Sequence, residues 1–587
     1  MGRFIEPLES RRLLAFPHPV LGSVVSAGAF PGTAGGAIKL SVRPAAKAAA
    51  TLTVAPAPLA ANKARPAVGV AENLLTAAQV RQVLAQAGSQ MRPGQAAAVV
   101  DREGNVLGVY ATTAATPETI EKAIVRARTG ALFQSSQNAF TTRTARFIIQ
   151  DHFPWPVRNT PGGPLYGVQF SNLPASDVLS PSRAPGISAD PGGLPLFFNG
   201  RLPAGGLGVA GDGSDVAPRA NLASPGQRVY DGREERDFDE SVALAGATGA
   251  GVPAALRLNL MASEKIRATQ VFLAGTGLRF PFTASPVARG RPFRTLDQLV
   301  SAGEGTVAVA PTDAQPNPYP KVDASRFGIA GELKNTTVAG FGIVGSNDPF
   351  PDEQRLTADD VETIIGDAVR QALEDRAAIR LPIGVPIIVH IAVTDRDGDV
   401  LGVFRMNDGT NFSFDVAVQK ARTAAFFSDD NHAISTRAVG FTAQRFFAPG
   451  ISPGGVSGPL FELQNELSLT PGNLGSGPVR NGITIFPGGV PLYKNGVLVG
   501  GIGISGDGVE QDDRVAFAGS RRFQPTPQIR SDYLDNRVFA DHMVSKVQQL
   551  QGLYSFSRDF VSQAQSRFNS KFDFRIPYVK FARNPRI

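Results

Sequence analysis

The sequence predicts an α+β chain of two tandem units, each a central antiparallel sheet covered by helices. Two observations carry that prediction. The segment DPGGLPLFFNGRLPAGGLGVAGDG at residues 190–213 returns as FPGGVPLYKNGVLVGGIGISGDG at 486–508, offset by 296 residues at Gly192/Gly488 and 295 at Gly211/Gly506. The segments around it also run in parallel in both copies: helix, hairpin, helix, long loop, hairpin, helix. Hairpins join antiparallel strands, and a sheet with one apolar face needs helices to cover it.

Each unit opens with a helix. In LLTAAQVRQVLAQAG (74–88), Thr76 and Gln79 have capping-box spacing, and Leu75, Val80, Val83, Leu84 and Ala87 form an apolar stripe. LTADDVETIIGDAVRQAL (356–373) opens in the same way, with Thr357 as N-cap and Asp360 in the first turn. The first hairpin follows at 96–111 and 387–406, where Asp101/Asp395 and Gly104/Gly398 hold equivalent turn positions. A second helix is expected at 116–133 and 414–427, with matching exposed-side cations Arg126/Lys420 and Arg128/Arg422 and the pair Thr129/Thr423.

The quoted segments then read as strand, turn, strand. Asn495-Gly496 is a strong hairpin turn because both residues accept positive φ. Pro491 and Pro195 point to an edge strand or a strand start. Gly501 and Gly503 alternate with Ile502 and Ile504, so one strand face is bare and a helix, a ligand or another subunit must lie close against it. A third helix is expected at 509–519, rich in acids near its start, and at 237–246 in the first copy.

Residues 1–70 read as an export leader and Ala/Pro-rich linker, 71–250 as the first unit with an insertion at 214–237, and 251–350 as extension and linker. Residues 351–525 form the second unit and 526–587 a C-terminal extension. RFIEPLESRRLLA (3–15) is similar to the short leader of many exported planctomycete proteins, and a weak apolar stretch follows it. An extracellular, periplasmic or cell-envelope location is therefore expected.

The chain has no cysteine, which excludes disulfides, thiolate metal sites and a Cys nucleophile. Its five histidines include no i, i+4 pair, so a dedicated zinc site is not expected. The charge of +7 is interspersed rather than clustered, which argues against nucleic acid as a partner. No run of about 20 apolar residues is present to form a transmembrane segment.

The second unit resembles the haem-binding HbpS and glycolate-operon GlcG family, also seen as the C-terminal domain of some cobalamin adenosyltransferases. The resemblance rests on Arg405-Met406-Asn407-Asp408-Gly409, Lys420-Ala421-Arg422-Thr423-Ala424, Pro487-Gly488-Gly489, Gly501–Gly506 and Gln511-Asp512…Ala516-Phe517-Ala518-Gly519. The first unit keeps Ala127-Arg128-Thr129, Pro191-Gly192-Gly193 and Ala245-Gly246 but replaces the R-M-D-G-type turn with YATTAAT. The resemblance implies a profilin-like (GlcG-like) fold in each unit, frequent oligomers and, in some members, haem binding or degradation.

Three functions follow. The first is a secreted binder of haem or another small ligand, which needs an apolar slot, an axial ligand and cations for the propionates. Tyr493, Lys494, Lys420, Arg422, Thr423 and His432 are the candidates, framed by the motif residues Gly488, Gly489, Gly506, Asp507 and Asp512. The second is a cell-envelope scaffold in which the units pack as an internal pseudo-dimer, with a homo-oligomer as a further arrangement. The third, an enzyme, has least support: Asp507, Asp512, Asp513 and His390 are explained as turn, helix-start and sheet residues. No catalytic residue and no metal ligand is assigned.

Overall fold

The computed structural model describes residues 74–142, 145, 188, 190–198, 202–213, 237–250, 268–273, 276–281, 292–310, 313–314, 317–377, 379–380, 384–444, 457–463, 477–554, 556, 558–569 and 576–579. The expected leader and nearly all of the insertion lie outside them.

Elements run in this order. The first copy begins with α1 (Ala77–Gly88), β1 (Ala96–Asp101), β2 (Val106–Thr112) and α2 (Pro117–Leu132). It continues with β3 (Gly193–Phe198), β4 (Leu202–Ala210) and α3 (Phe238–Gly246). A hairpin, β5 (Ala268–Leu273) and β6 (Thr276–Pro281), precedes α4 (Leu296–Ser301), β7 (Gly305–Val309), β8 (Lys321–Val322), α5 (Ala324–Phe327) and β9 (Gly331–Leu333). The second copy is α6 (Ala358–Glu374), β10 (His390–Asp395), β11 (Val400–Met406), α7 (Phe412–Phe426), α8 (Thr436–Thr442), β12 (Gly489–Lys494), β13 (Val497–Ser505) and α9 (Val509–Gly519). Two helices close the chain, α10 (Asn536–Leu553) and α11 (Phe560–Asn569).

The two principal sheets share one order. The first is β3-β4-β1-β2-β7 and the second β12-β13-β10-β11-β9-β8, with every pairing antiparallel. The stretch expected as extension and linker thus supplies β7 to the first sheet and β8 and β9 to the second. Its strands are short and lack a repeated partner, so nothing in the residue pattern marks them.

Local chemistry follows the expectations. Thr76 and Thr357 complete capping boxes with Gln79 and Asp360. Asn495 and Gly496 take φ of 50° and 82°, and Pro491 and Pro195 lie in the edge strands β12 and β3. The bare glycine face is covered by a helix in each copy. A Cβ on Gly503 would lie 2.0 Å from the Ala417 carbonyl oxygen of α7, and one on Gly208 lies 2.0 Å from that of Ala123 in α2. Opposite this layer, Val361, Ile364, Ile365 and Ala368 of α6 pack on Ile391, Val393, Leu401 and Ile502. Val80, Val83 and Leu84 of α1 do the same with Val99, Leu107 and Leu207.

A further core joins the copies. Leu132, Phe133 and Phe140 of the first lie with Phe412, Val416 and Phe426 of the second and with Phe539, Met543 and Val547 of α10. The Phe133 and Phe412 rings are 4.4 Å apart.

Gly503→Val is expected to lower the unfolding free energy by about 3 kcal/mol, because the helix backbone leaves no room for a side chain. Gly552→Ala on α10, where an added Cβ meets nothing within 4 Å, is expected to be neutral or stabilising by up to ~1 kcal/mol. Urea denaturation of both variants checks the pair.

Candidate functional site

Lys420, Arg126 and Arg422, expected on the exposed side of their helices, are buried instead, because each helix lies against the sheet on the face that carries them. The repeated P-G-G and G-D-G segments surround a buried ion pair. In the second copy Lys420 Nζ donates to the Ile504 carbonyl at 2.6 Å and to Asp512 Oδ2 at 2.8 Å. In the first, Arg126 Nη1 donates to the Val209 carbonyl at 2.7 Å and to Asp239 Oδ2 at 2.8 Å. Gly488 and Gly192 sit over these cations: an added Cβ would lie 2.8 Å from Lys420 Nζ and 3.1 Å from Arg126 Nη1. Burial pushes Lys420 down and lifts Asp512 to about 7, against the pull of Lys420.

Neighbouring contacts are duplicated as well. Thr423 Oγ1 accepts from the Thr484 amide at 2.9 Å, and Thr129 Oγ1 from that of Ser188 at 2.8 Å. Arg422 Nε donates to the Gly398 carbonyl at 2.7 Å, and Arg128 Nε to that of Gly104 at 3.0 Å. Thr436 and Thr142 accept from the Gly489 and Gly193 amides at 2.9 and 3.0 Å. Contacts made identically in two copies by Lys420, Arg422, Thr423, Gly488, Gly489 and Asp512 hold helix to sheet. Gly506 takes φ of 148°, and Asp507 lies against Arg380 at 3.6 Å.

The remaining sequence candidates fall in two other places. Tyr493 is buried, and its hydroxyl donates to the Asp429 and His432 carbonyls at 2.8 and 3.1 Å. Burial pushes this phenol well above its ordinary range. His432 Nδ1 lies 2.9 Å from Asp429 Oδ1, so Tyr493 and His432 meet around one turn. Lys494 is separate, bound to Asp360 Oδ2 at 2.8 Å and the Arg355 carbonyl at 3.0 Å. A surface cleft of about 510 Å³, lined by residues such as Arg396, Phe426, Leu498 and Lys546, includes none of the candidates.

A different group gathers where the copies meet. His390 stands opposite Arg405 on β11 and Ser505 on β13. Its side chain is wholly buried, and neither ring nitrogen has a hydrogen-bond partner. The Phe414 ring stacks beside it at 6.2 Å and 12°. Arg405 donates through Nε and Nη2 to the Gly409 carbonyl and through Nη1 to Glu332 Oε1 at 2.7 Å. Lys334 Nζ lies 2.9 Å from Glu332 and 3.5 Å above the Tyr319 ring. Burial first, then Arg405 and Lys334, push the His390 imidazole well below its ordinary range and leave it neutral at neutral pH. Burial also lowers Lys334 to about 8. Glu332 is lifted by burial, but Arg405, Lys334 and Lys321 hold it below the usual carboxylate range.

The first copy closes this group. Asn411 Nδ2 donates to the Arg102 carbonyl at 2.7 Å and to Glu103 Oε1 at 2.8 Å. Ser136 donates through its amide and hydroxyl to Asp408, and Arg380 Nη1 donates to Ser135 Oγ at 3.2 Å. Arg102 Nε and Nη2 are shut from solvent without a partner. Asp408 holds φ of 68°, an uncommon backbone for a residue other than glycine. At the register of His390 and Arg405 the first copy has Ala96 opposite Ala111, so among the described residues the group is not repeated there. Arg405 and Asp408 were visible in the R-M-x-D-G turn. His390 was visible only as a strand residue, because its isolation depends on partners far away in sequence.

Two fused α+β units, with one buried imidazole–cation group at their seam, define a tandem protein whose copies have diverged. The chain belongs to the HbpS-like family: the model described as haem degrading protein HbpS-like matches residues 73–217 and 356–521, one match in each copy. An uncharacterized 15.0 kDa protein of the dhaT-dhaS intergenic region of Citrobacter freundii is 34% identical over 146 residues, 25% of this chain and 80% of that one. The corrinoid adenosyltransferase PduO of Salmonella typhimurium is 28% identical over 141 residues, 24% of this chain and 34% of PduO. This chain therefore matches about a third of PduO. Among solved structures, a PduOC–haem complex is 25% identical with a TM-score of 0.20, covering 29% of this chain and 96% of that one. HbpS is 22% identical with a TM-score of 0.20, covering 31% and 99%.

Lys420→Met is expected to cost about 3–5 kcal/mol by leaving Asp512 buried without its cation. Lys420→Met/Asp512→Leu is expected to restore most of that loss. Denaturant unfolding of the single and double variants measures it.

Proposed function

We propose that this chain is an exported, non-catalytic binding protein for haem or a closely related anionic tetrapyrrole, with its site at the seam between the copies. The observation that carries this reading is His390, a neutral, fully buried imidazole with both nitrogens unpartnered. A buried polar group without a partner costs about 1–3 kcal/mol, so a buried imidazole in that state is accounted for by a ligand that engages it.

The surrounding residues suit such a ligand. His390 would supply a nitrogen to hold the iron and Phe414 an aromatic wall. Arg405, Lys334 and Arg102 would supply cations for the carboxylates. When bound, the iron would bring ligand exchange and electron transfer to the site. Because His390 is wholly buried, binding would require the group around it to open, and the first copy's contacts to Asp408 and Asn411 are where that opening would begin. Family membership supports the same ligand class. The leader-like residues 3–15 support export, and deleting them is expected to retain the chain in the cytoplasmic fraction of its cells.

A scaffold is the second reading, favoured by the closure of the same seam. Haem titration of the full chain, followed in the Soret region, separates the two. A saturable shift weakened at least about tenfold by His390→Ala, and kept by Tyr493→Phe/His432→Ala, is the expected result; axial ligand loss removes the iron–nitrogen bond. A shift untouched by His390→Ala discards the seam site. No saturable shift, with the circular dichroism of a folded chain, leaves the scaffold reading.

A further inference from the structure

A second cluster lies away from the seam, where α10 docks on the loop after α7. Asp429 and His432 sit on that loop, and His542 comes from α10 in the C-terminal extension. Backbone bonds between Asp429 and His432, at 2.9 and 3.3 Å, close the loop into a tight turn. Tyr493 clamps that turn from below through both carbonyls. The two imidazole rings stack at 4.1 Å and 20°. His542 is nearly buried, with 4% of its side chain exposed, whereas His432 and Asp429 are 21% and 44% exposed.

The proton positions are constrained by chemistry. His542 Nε2 lies 2.7 Å from the Phe427 carbonyl oxygen. A carbonyl only accepts, so Nε2 carries the proton, and a neutral ring then presents a bare lone pair at Nδ1. That Nδ1 faces Asp429 Oδ2 at 3.5 Å, and an ionised carboxylate also only accepts. Two acceptors pointed at each other in a half-buried site repel unless a cation lies between them. On the other oxygen, Asp429 Oδ1 meets His432 Nδ1 at 2.9 Å and the Asn431 amide at 2.8 Å.

We infer that Asp429, His432 and His542 form a site for one divalent first-row cation, of which zinc is the type. One ligand atom from each lies within 4.8 Å of the others, so an ion about 2.0–2.2 Å from each is reached by a small inward shift of the part-exposed Asp429 and His432 side chains. Two imidazoles and one carboxylate are a borderline-soft set that suits zinc and its neighbours over calcium or magnesium. The Phe427 carbonyl on the far nitrogen of His542 is the orienting contact that metal-bound histidines receive. Lys546, one turn beyond His542 and bonded to the Ser428 carbonyl at 3.1 Å, is the nearby cation that opposes a metal charge. The exposed side of Asp429 leaves a coordination position open to water. His542 lies outside the matched family segments, which end at residue 521, whereas Asp429 and His432 lie within them, so the extension supplies one ligand of the three.

Cobalt(II) and zinc(II) titrations of the metal-stripped full chain test this, in a non-chelating buffer. The expected result is one ion per chain, a visible cobalt absorption of four- or five-coordinate type displaced by zinc, and affinity lowered at least about tenfold by either His432→Ala or His542→Ala. His432 is part-exposed, so its variant is expected to fold where the His542 variant fails. His390→Ala is expected to bind cobalt normally, which keeps this result separate from the haem reading. Absence of stoichiometric binding, or binding unchanged in a folded His432→Ala chain, overturns the site and leaves the trio as a hydrogen-bonded dock for α10.

Discussion

The structure depends on one close approach: the backbones of α2 and α7 lie directly on glycines of β4 and β13. Gly206 and Gly208 face Ala127 and Ala123, and Gly501 and Gly503 face Ala421 and Ala417, with no side chain between helix and sheet. At that spacing Arg126 and Lys420 reach past the strand to the first turn of the following helix. Each cation therefore fixes three elements at once: its own helix, a strand carbonyl and an acid on α3 or α9. A buried pair of this kind adds little net stability, because desolvation offsets the attraction, but it penalises any arrangement that separates the partners. The close approach sets where the rest of each unit must stand.

The seam between the copies follows a different logic. Its apolar part, around Phe133 and Phe412, is an ordinary core shared by two units. Its polar part carries charge on both sides, and hydrogen bonds cross it from Ser136 to Asp408, from Arg380 to Ser135 and from Asn411 to the Arg102 carbonyl. A polar network in a low dielectric is favourable only where every member is paired. Arg102, Lys334, Arg380 and His390 each keep a buried nitrogen without a hydrogen-bond partner; His390 is the one in which no side-chain polar atom has a partner.

Much of the fold was legible in the residues. The duplication, capping boxes, Asn495-Gly496 turn and strand glycines each reflect local geometry, and local geometry is what short sequence patterns encode. The covered glycine face was also legible, since bare alternation implies a close neighbour. The strands β7, β8 and β9 were not, because short pairings are selected by the sheet edge they complete rather than by their own pattern. The site was legible least. Lys420, Arg422 and Thr423 share a short segment and suggested a ligand, yet the same contacts recur in the first copy. A residue is isolated, as His390 is, only by what other segments fail to supply, and spacing along a chain cannot show that.

One consequence follows from the single pair His390–Arg405 against Ala96–Ala111. Identical subunits related by a twofold axis must place the same residues on both sides of their contact, so any change there occurs twice. Joining the copies in one chain removes that constraint, so the group need not be repeated. It also makes the contact intramolecular, so its formation does not depend on protein concentration. The two faces therefore meet at any dilution, and each has been at liberty to change without its twin.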